Sequence, residues 1–296
     1  MISFNWEYHI NIKNKRGSLM NHFEQLARDL AEIYILQPKV EGVMLAGSVA
    51  RGLCDTHSDI ELYILWKDAP SDSDRKQVIE LLDGEILSFF DYEDEEWSEA
   101  YRVKGIKIEV SSFLTSTIDR VITKVFQEKV WNIDHQAIAA SIQDGIPLEG
   151  KDVIASFKSR CADFPRELQK NMVESQLFFS SRWAARQAFL DRQDFFIYQK
   201  TVSEVIEKIL TILHGVNSMF IVHPGFKWLS YTLSKMTVKP DGMENRIRSI
   251  LTPGNSGSVI ELENLLLETI GIVDTALPEI DLTAFRKDMK GSRVED

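Results

Sequence analysis

The stretch from Val43 to Trp66, VMLAGSVARGLCDTHSDIELYILW, decides the fold. Its first part is a short apolar run that ends in glycine, which is typical of a strand leading into a turn. Its last part, DIELYILW, is rich in β-branched and aromatic residues and predicts a second strand. Between the two strands, Gly47 and Ser48 predict a tight turn, because glycine tolerates backbone conformations that other residues avoid.

The segments around this stretch extend the pattern on both sides. Residues 18–37 carry apolar residues at helical intervals, with Ser18 as a candidate cap. Residues 73–90 have a helical pattern in their first half, and the acidic residues 91–101 are interpreted as a solvated loop. Residues 105–113, GIKIEVSSF, alternate as a strand does. The predicted order is therefore helix, strand, turn, strand, helix, strand.

From Thr115 onward, helical patterns follow one another and strand signals disappear. The segment 144–152, DGIPLEGKD, is rich in glycine, proline and acids and is interpreted as a linker. We therefore predict a first domain at 1–150, which carries the strands, and a helical C-terminal domain at 151–296. The predicted fold class is α/β plus all-α, with a small mixed sheet that carries helices on one side and an active site in the cleft between the domains.

Composition limits the classes of function. The chain has 296 residues, of which 44% are hydrophobic, as in a globular protein with a sizeable core. Its formal net charge of −11 argues against a surface built to bind nucleic acid. It contains no apolar run of about 18 residues and no signal-peptide pattern, so we expect a cytoplasmic protein without a membrane partner. Its two cysteines and scattered histidines do not suggest a disulfide framework or a zinc site.

Three carboxylates form the candidate catalytic site. Asp59 and Glu61 lie two apart on a predicted strand and therefore point to the same side, while Ile60 points into the core. Two adjacent carboxylates repel each other unless a cation lies between them, and Mg²⁺ prefers such oxygen ligands. If the strand that carries Glu109 pairs beside this one, three carboxylates converge, which is enough for two metal ions about 3.5–4 Å apart.

A P-loop is excluded at the turn. Gly47 and Gly52 match its glycine spacing, but Leu53 and Cys54 follow where that motif needs lysine and then serine or threonine. The turn must therefore serve a different kind of site.

The combination of Gly47-Ser48, Asp59-x-Glu61 and Glu109 resembles the DNA polymerase β-like nucleotidyltransferase superfamily. Both GSVARGLCDTHSDIELYIL and KIEVSSF are especially similar to the antibiotic-modifying branch typified by kanamycin nucleotidyltransferase. Many members of the superfamily have aspartate where this chain has Glu61 and Glu109, and the antibiotic-modifying branch accepts glutamate there. The resemblance covers residues 43–113.

The resemblance implies roles for these residues. Asp59, Glu61 and Glu109 would be catalytic and would ligate two Mg²⁺ ions. Gly47 and Ser48 would bind the triphosphate of an NTP, with ATP as the first choice, and Arg51 would assist them. These implied roles make the chain an enzyme of the nucleotidyltransferase class, with residues 1–150 as its nucleotidyltransferase domain.

The helical half adds three candidates. The stretch 173–187, VESQLFFSSRWAARQ, resembles the catalytic helix of that branch, and Arg182 stands where the family places a cation for the triphosphate. Phe178 occupies the position of the general base and cannot accept a proton. Glu174 would lie one helical turn earlier on the same face, which makes it a catalytic candidate beside Glu109. The segment 219–233 resembles a group of nucleotidyltransferase-like bacterial proteins and makes Lys227 another nucleotide-binding candidate.

These features predict transfer of an NMP, AMP by preference, to a hydroxyl of a small molecule such as an aminoglycoside or lincosamide antibiotic. The acidic surface suits a cationic acceptor. Transfer to a protein or RNA, as in toxin–antitoxin relatives, is one alternative. A non-catalytic nucleotide-sensing protein of the same fold is the other. The expected partners are the nucleotide and the acceptor, and a homodimer is left open.

Overall fold

The computed structural model describes residues 6–252 and 257–290. The chain divides into two compact units. The first contains residues up to Lys124 together with Ile138–Asp163, and the second contains Val125–Ala137 and the residues from Phe164 onward. The first unit therefore continues past residue 150, where we predict the domain boundary.

The first part of the chain alternates strands and helices. Its elements are α1 (Trp6–Tyr34), β1 (Val40–Ala46), α2 (Gly47–Ala50), β2 (Ile60–Trp66), α3 (Asp72–Leu81), β3 (Glu85–Phe89), β4 (Trp97–Val103), β5 (Ile106–Leu114), α4 (Thr115–Phe126), α5 (Ile133–Asp144), β6 (Ile146–Glu149) and α6 (Lys151–Arg160). The predicted strands at β1, β2 and β5 are all present. The fold class predicted from the sequence, a mixed sheet followed by helices, is confirmed.

The six strands form one sheet in the order β3-β4-β5-β2-β1-β6. The central pair, β2 and β5, is parallel, and the other pairs are antiparallel. In the parallel pair, Glu61 is opposite Glu109. Because paired residues in a sheet share a face, this register places the two carboxylates on the same side.

Helices cover both faces of the sheet, so the prediction of helices on one side is wrong. Ile60, Leu62 and Ile64 of β2 are buried against α1, where Leu30 and Tyr34 belong to the same core. The opposite face packs against α6. Gly42 of β1 lies so close to this helix that a Cβ added to it would be 3.5 Å from the Ile154 side chain. Alternation along β1 and β2 therefore supplies two apolar surfaces in the middle of the sheet.

Strand β4 occupies much of the segment that the sequence predicts to be a solvated loop. Its Glu99 is fully buried and pairs with Arg75 of α3, with 2.9 Å between Oε2 and Nη1. The Arg75 guanidinium also lies 3.8 Å from the centre of the Phe89 ring. A buried charge requires such a partner. The acidic composition was misleading here because the matching cation lies 24 residues earlier in the chain.

Two other local predictions are wrong for similar reasons. The segment 144–152 is not a linker but contains β6, which pairs with β1 at the edge of the sheet. Its Leu148 is buried in the core and supplies the apolar contact that holds the strand. Ser18 does not cap a helix, because α1 runs through it and begins twelve residues earlier, at Trp6.

The second unit consists of helices and their connections. From Phe164 onward they are α7 (Arg166–Glu174), α8 (Ser181–Ala184), α9 (Arg186–Asp191), α10 (Phe195–Val216), α11 (Leu229–Lys235), α12 (Met243–Leu251), α13 (Ser258–Ala276) and α14 (Thr283–Lys290). Their shared apolar core centres on α10 and α13. Among the described residues, no helix combines the length and the apolar character needed to cross a membrane.

The helix that the resemblance implies for residues 173–187 is interrupted. Helix α7 ends at Glu174, and residues 177–180 form an irregular segment before α8. Glu174 and Phe178 therefore do not share a helical face, contrary to the prediction. Phe178 is 74% exposed, whereas its neighbours Leu177 and Phe179 pack against the core of this unit. Such alternation of buried and exposed side chains belongs to extended backbone and not to a helix.

Candidate active site

The Gly47 turn joins the end of β1 to α2, and the backbone there requires glycine. Gly47 has φ of +65°, which is left-handed and strains any residue with a Cβ. A Cβ at this position would also lie 2.2 Å from the Glu61 carboxylate. Ala46, the residue before it, is opposite Glu61 in the β1–β2 pair. Glycine therefore allows the carboxylate to lie directly against the turn.

The loop after the turn is closed by short polar contacts. Ser48 is buried, and its hydroxyl donates to the Ser58 hydroxyl at 3.3 Å. Ser58 Oγ also accepts a hydrogen bond from the backbone N–H of Asp55 at 2.9 Å. A backbone bond of 2.8 Å from Leu53 N to Ser48 O closes the turn. These contacts hold the loop that leads to Asp59 in one conformation.

Asp59, Glu61 and Glu109 lie together at one end of the sheet. Asp59 immediately precedes β2, and Glu61 and Glu109 are directly opposite each other in β2 and β5. Their neighbours Ile60 and Ile108 are completely buried, whereas the three acids remain partly exposed. Strand alternation thus turns the apolar residues into the core and the carboxylates toward one accessible face.

A lysine lies among these acids. Lys107 Nζ is 3.4 Å from Asp59 Oδ2 and donates a hydrogen bond to Glu109 Oε1. The hydrogen bond to Glu109 raises the pKa of Lys107 above its ordinary value, and the charge of Asp59 acts in the same direction. Within the described part of the chain, no three His, Cys, Asp or Glu side chains are placed to hold a metal ion as they stand.

The position of the Lys107 ammonium nevertheless shows that a positive charge fits between these acids. The ammonium lies between two carboxylates, so Asp59 and Glu109 already direct oxygen atoms toward one positive charge. Carboxylate oxygens are the ligands that Mg²⁺ prefers. The donor set therefore fits a divalent ion, provided that the Lys107 side chain moves away.

The Arg51 side chain forms an ion pair within the first unit. Its Nε donates to Asp144 Oδ2 of α5 at 2.8 Å, and its side chain is only 7% exposed. Its Nη2 is buried and has no hydrogen-bond partner among the described residues. In this arrangement Arg51 anchors the end of α2 to α5, and its predicted contact with phosphates would require the guanidinium to turn outward.

The other three predicted residues lie in the second unit, in separate segments. Glu174 ends α7, is exposed, and lies 4.0 Å from Lys170 Nζ. Arg182 is exposed on the short helix α8. Lys227 is exposed between Phe226 and Trp228, which have φ of +50° and +60°. Their predicted roles in catalysis and nucleotide binding stay predictions.

Sequence reasoning missed Lys107 and Asp144. Lys107 precedes Glu109 by two positions on an alternating strand, so the same rule that pairs Asp59 with Glu61 places the lysine beside Glu109. That signal was present in the sequence. No local pattern in the sequence points to Asp144, because its contact with Arg51 joins residues 93 positions apart.

We expect Gly47→Ala to reduce any activity of this site about 10²-fold or more, because the new Cβ displaces the Glu61 carboxylate by about an ångström. Gly242→Ala is the matched control: Gly242 has a similar φ of +61°, but nothing lies within 4 Å of the added Cβ. Both variants should lose about 1–3 kcal/mol from backbone strain. Full activity of Gly47→Ala with a normal free energy of unfolding would contradict this account of the turn.

Comparison with known proteins gives partial matches. A family described as a domain of unknown function, DUF4037, matches residues 131–229, about one third of the chain. No curated protein matches the chain.

Two solved structures are similar to the chain at low identity. One is a nucleotidyltransferase-like protein from Exiguobacterium sibiricum, with 14% identity, a TM-score of 0.42, and coverage of 91% of this chain and 89% of that one. The other is the CCA-adding enzyme of Thermotoga maritima, solved in complex with tRNA, with 10% identity, a TM-score of 0.25, and coverage of 92% and 83%.

Proposed function

We propose that this protein is a nucleotidyltransferase that moves an NMP from an NTP to a hydroxyl group. One observation carries the proposal: Asp59, Glu61 and Glu109 share one accessible face of β2 and β5, and Glu61 lies against the Gly47 turn. Converging carboxylates beside a tight glycine turn are suited to holding a metal–nucleotide complex. The sequence resemblance to the antibiotic-modifying branch supports the same class.

Each residue has a chemical task in this proposal. Asp59, Glu61 and Glu109 would hold the metal ions, which when bound offset negative charge on the phosphates. Gly47 keeps the Glu61 carboxylate next to the turn, and Ser48 would bind the triphosphate. The polar loop contacts hold the segment that leads to Asp59, which would position its carboxylate before the nucleotide arrives.

In the proposed reaction, the acceptor hydroxyl attacks the α-phosphorus of the NTP. A bond forms between the acceptor oxygen and that phosphorus, the bond to the bridging oxygen breaks, and pyrophosphate leaves. The proton of the hydroxyl goes to a carboxylate. Glu109 and Glu174 are the candidates, and Glu109 already lies on the same face as Glu61.

The acceptor we propose is a small cationic molecule with a free hydroxyl, such as an aminoglycoside, and AMP is the group transferred. The support is electrostatic: the chain carries a net charge of −11, and the segment 91–94 before β4 is exposed and acidic. Long-range attraction of this kind raises the local concentration of a cationic substrate.

A screen for pyrophosphate release tests this proposal. Purified protein is incubated with each of the four NTPs, Mg²⁺ and a panel of aminoglycosides, lincosamides and neutral polyols. We expect release that requires both an NTP and an acceptor, is strongest with ATP and a cationic acceptor, and is absent with chelator. Nucleotide binding without release for any acceptor would contradict transfer and favour a nucleotide-sensing protein.

A further inference from the structure

We propose that Lys107 is a built-in counter-ion of the carboxylate site, which holds Asp59 and Glu109 together in the absence of metal and is displaced when a divalent ion binds. The proposal rests on the proposed function, because it concerns the same carboxylates. It goes beyond that function by assigning to Lys107 the control of how tightly the site binds metal.

The geometry places the ammonium where a cation would be bound. Lys107 Nζ contacts Glu109 of β5 and also lies 3.4 Å from Asp59, which immediately precedes β2. Glu61 is opposite Glu109 on the same face, so a third carboxylate lies beside the pair that Lys107 contacts. Without the lysine or a metal ion, their mutual repulsion would drive the carboxylates apart.

The lysine is also able to leave. Its side chain is 43% exposed, and Lys107 lies near the start of β5, two residues after Gly105 of the β4–β5 turn. A lysine ammonium is a point charge on a flexible stem of four carbons, so it can leave and still remain near the site. Because the ammonium and a divalent ion need the same oxygen atoms, binding of one excludes the other. Part of the metal-binding free energy is therefore spent on displacing Lys107.

The test measures metal binding directly, without nucleotide. Mn²⁺ and Mg²⁺ are titrated separately into the wild type, Lys107→Gln and Lys104→Gln by calorimetry. Lys104 is the matched control, because it is an exposed lysine of the same hairpin and its replacement changes the net charge equally. We expect Lys107→Gln to bind metal about tenfold more tightly, as a competing ion pair with two carboxylates is removed. Lys104→Gln should differ from the wild type by less than about twofold.

A second measurement separates a counter-ion from a merely structural lysine. In chelator, Lys107→Gln should unfold at a lower temperature than the wild type, and adding Mn²⁺ should remove that difference. A lysine that only packs against the sheet would leave a deficit that metal does not correct. Such an uncorrected deficit would overturn the proposal.

The outcomes distinguish this proposal from the proposed function. If the wild type binds metal and Lys107→Gln binds it no more tightly, the counter-ion role fails and the transferase proposal stands. If only Lys107→Gln binds metal, the counter-ion role is supported and metal-dependent transfer by the wild type is contradicted. If neither protein binds metal, both proposals fail.

Discussion

Asp59→Asn should abolish pyrophosphate release while the first unit remains folded. Asparagine keeps the size of the side chain but removes the negative charge, so a proposed metal ligand is lost without creating a cavity. Asp59 is partly exposed immediately before β2 and is not part of the apolar core. Release should be measured at saturating NTP, Mg²⁺ and acceptor, and thermal unfolding should be measured on the same samples.

Asp68→Asn is the matched control, because Asp68 is exposed beyond the opposite end of β2 and its replacement changes the charge equally. It should retain wild-type release. Glu61→Gln should behave as Asp59→Asn does, since Glu61 lies on the same face. Wild-type turnover by Asp59→Asn or Glu61→Gln would remove these residues from the metal site and end the two-metal assignment.

The largest effect on stability is expected from Glu99→Ala, which should lower the free energy of unfolding by about 3–5 kcal/mol. Glu99 and Arg75 are both completely buried, so removing the carboxylate leaves the guanidinium charge in the core without its main partner. Burial raises the pKa of Glu99 to about 7, so chemical denaturation should be followed at pH 8, where the carboxylate is charged.

Glu85→Ala serves as the control for that measurement. It removes an ion pair of similar length in the same sheet, 2.8 Å between Glu85 and Arg102, in which both side chains are exposed. Such exposed pairs contribute about 0–1 kcal/mol. The double variant Arg75→Met/Glu99→Leu should recover most of the lost stability, because it removes both buried charges. Equal effects of Glu99→Ala and Glu85→Ala would show that the buried pair is not the source of the stability.

The sequence predicted the elements whose signals are local. β1, β2 and β5 each carry an apolar or alternating pattern, and all three form strands. The shared face of Asp59 and Glu61 followed from alternation alone, because successive side chains of a strand point to opposite sides. The helical character of the second half followed from the recurrence of apolar residues at helical intervals.

The elements that were missed depend on distant partners. β4 carries Glu99 at a buried position, which is stable only because Arg75 of α3 neutralises it. β6 is a short edge strand that exists because β1 offers it a partner. Helix α7 ends at Glu174 although the helical pattern continues, and a highly exposed Phe178 follows it. In each case local composition suggested one structure and tertiary contacts decided another.

What the sequence determined by itself is the chemistry available at the site: the glycine turn, the acids two apart on a strand, and a third acid on a later strand. Backbone periodicity is local, so these features could be recognised without knowing the fold. Only the tertiary structure decided that Glu109 is opposite Glu61, that Arg51 binds Asp144, and that Lys107 lies between two acids. Strand order and register determine those contacts, and they depend on how the whole sheet buries its apolar residues.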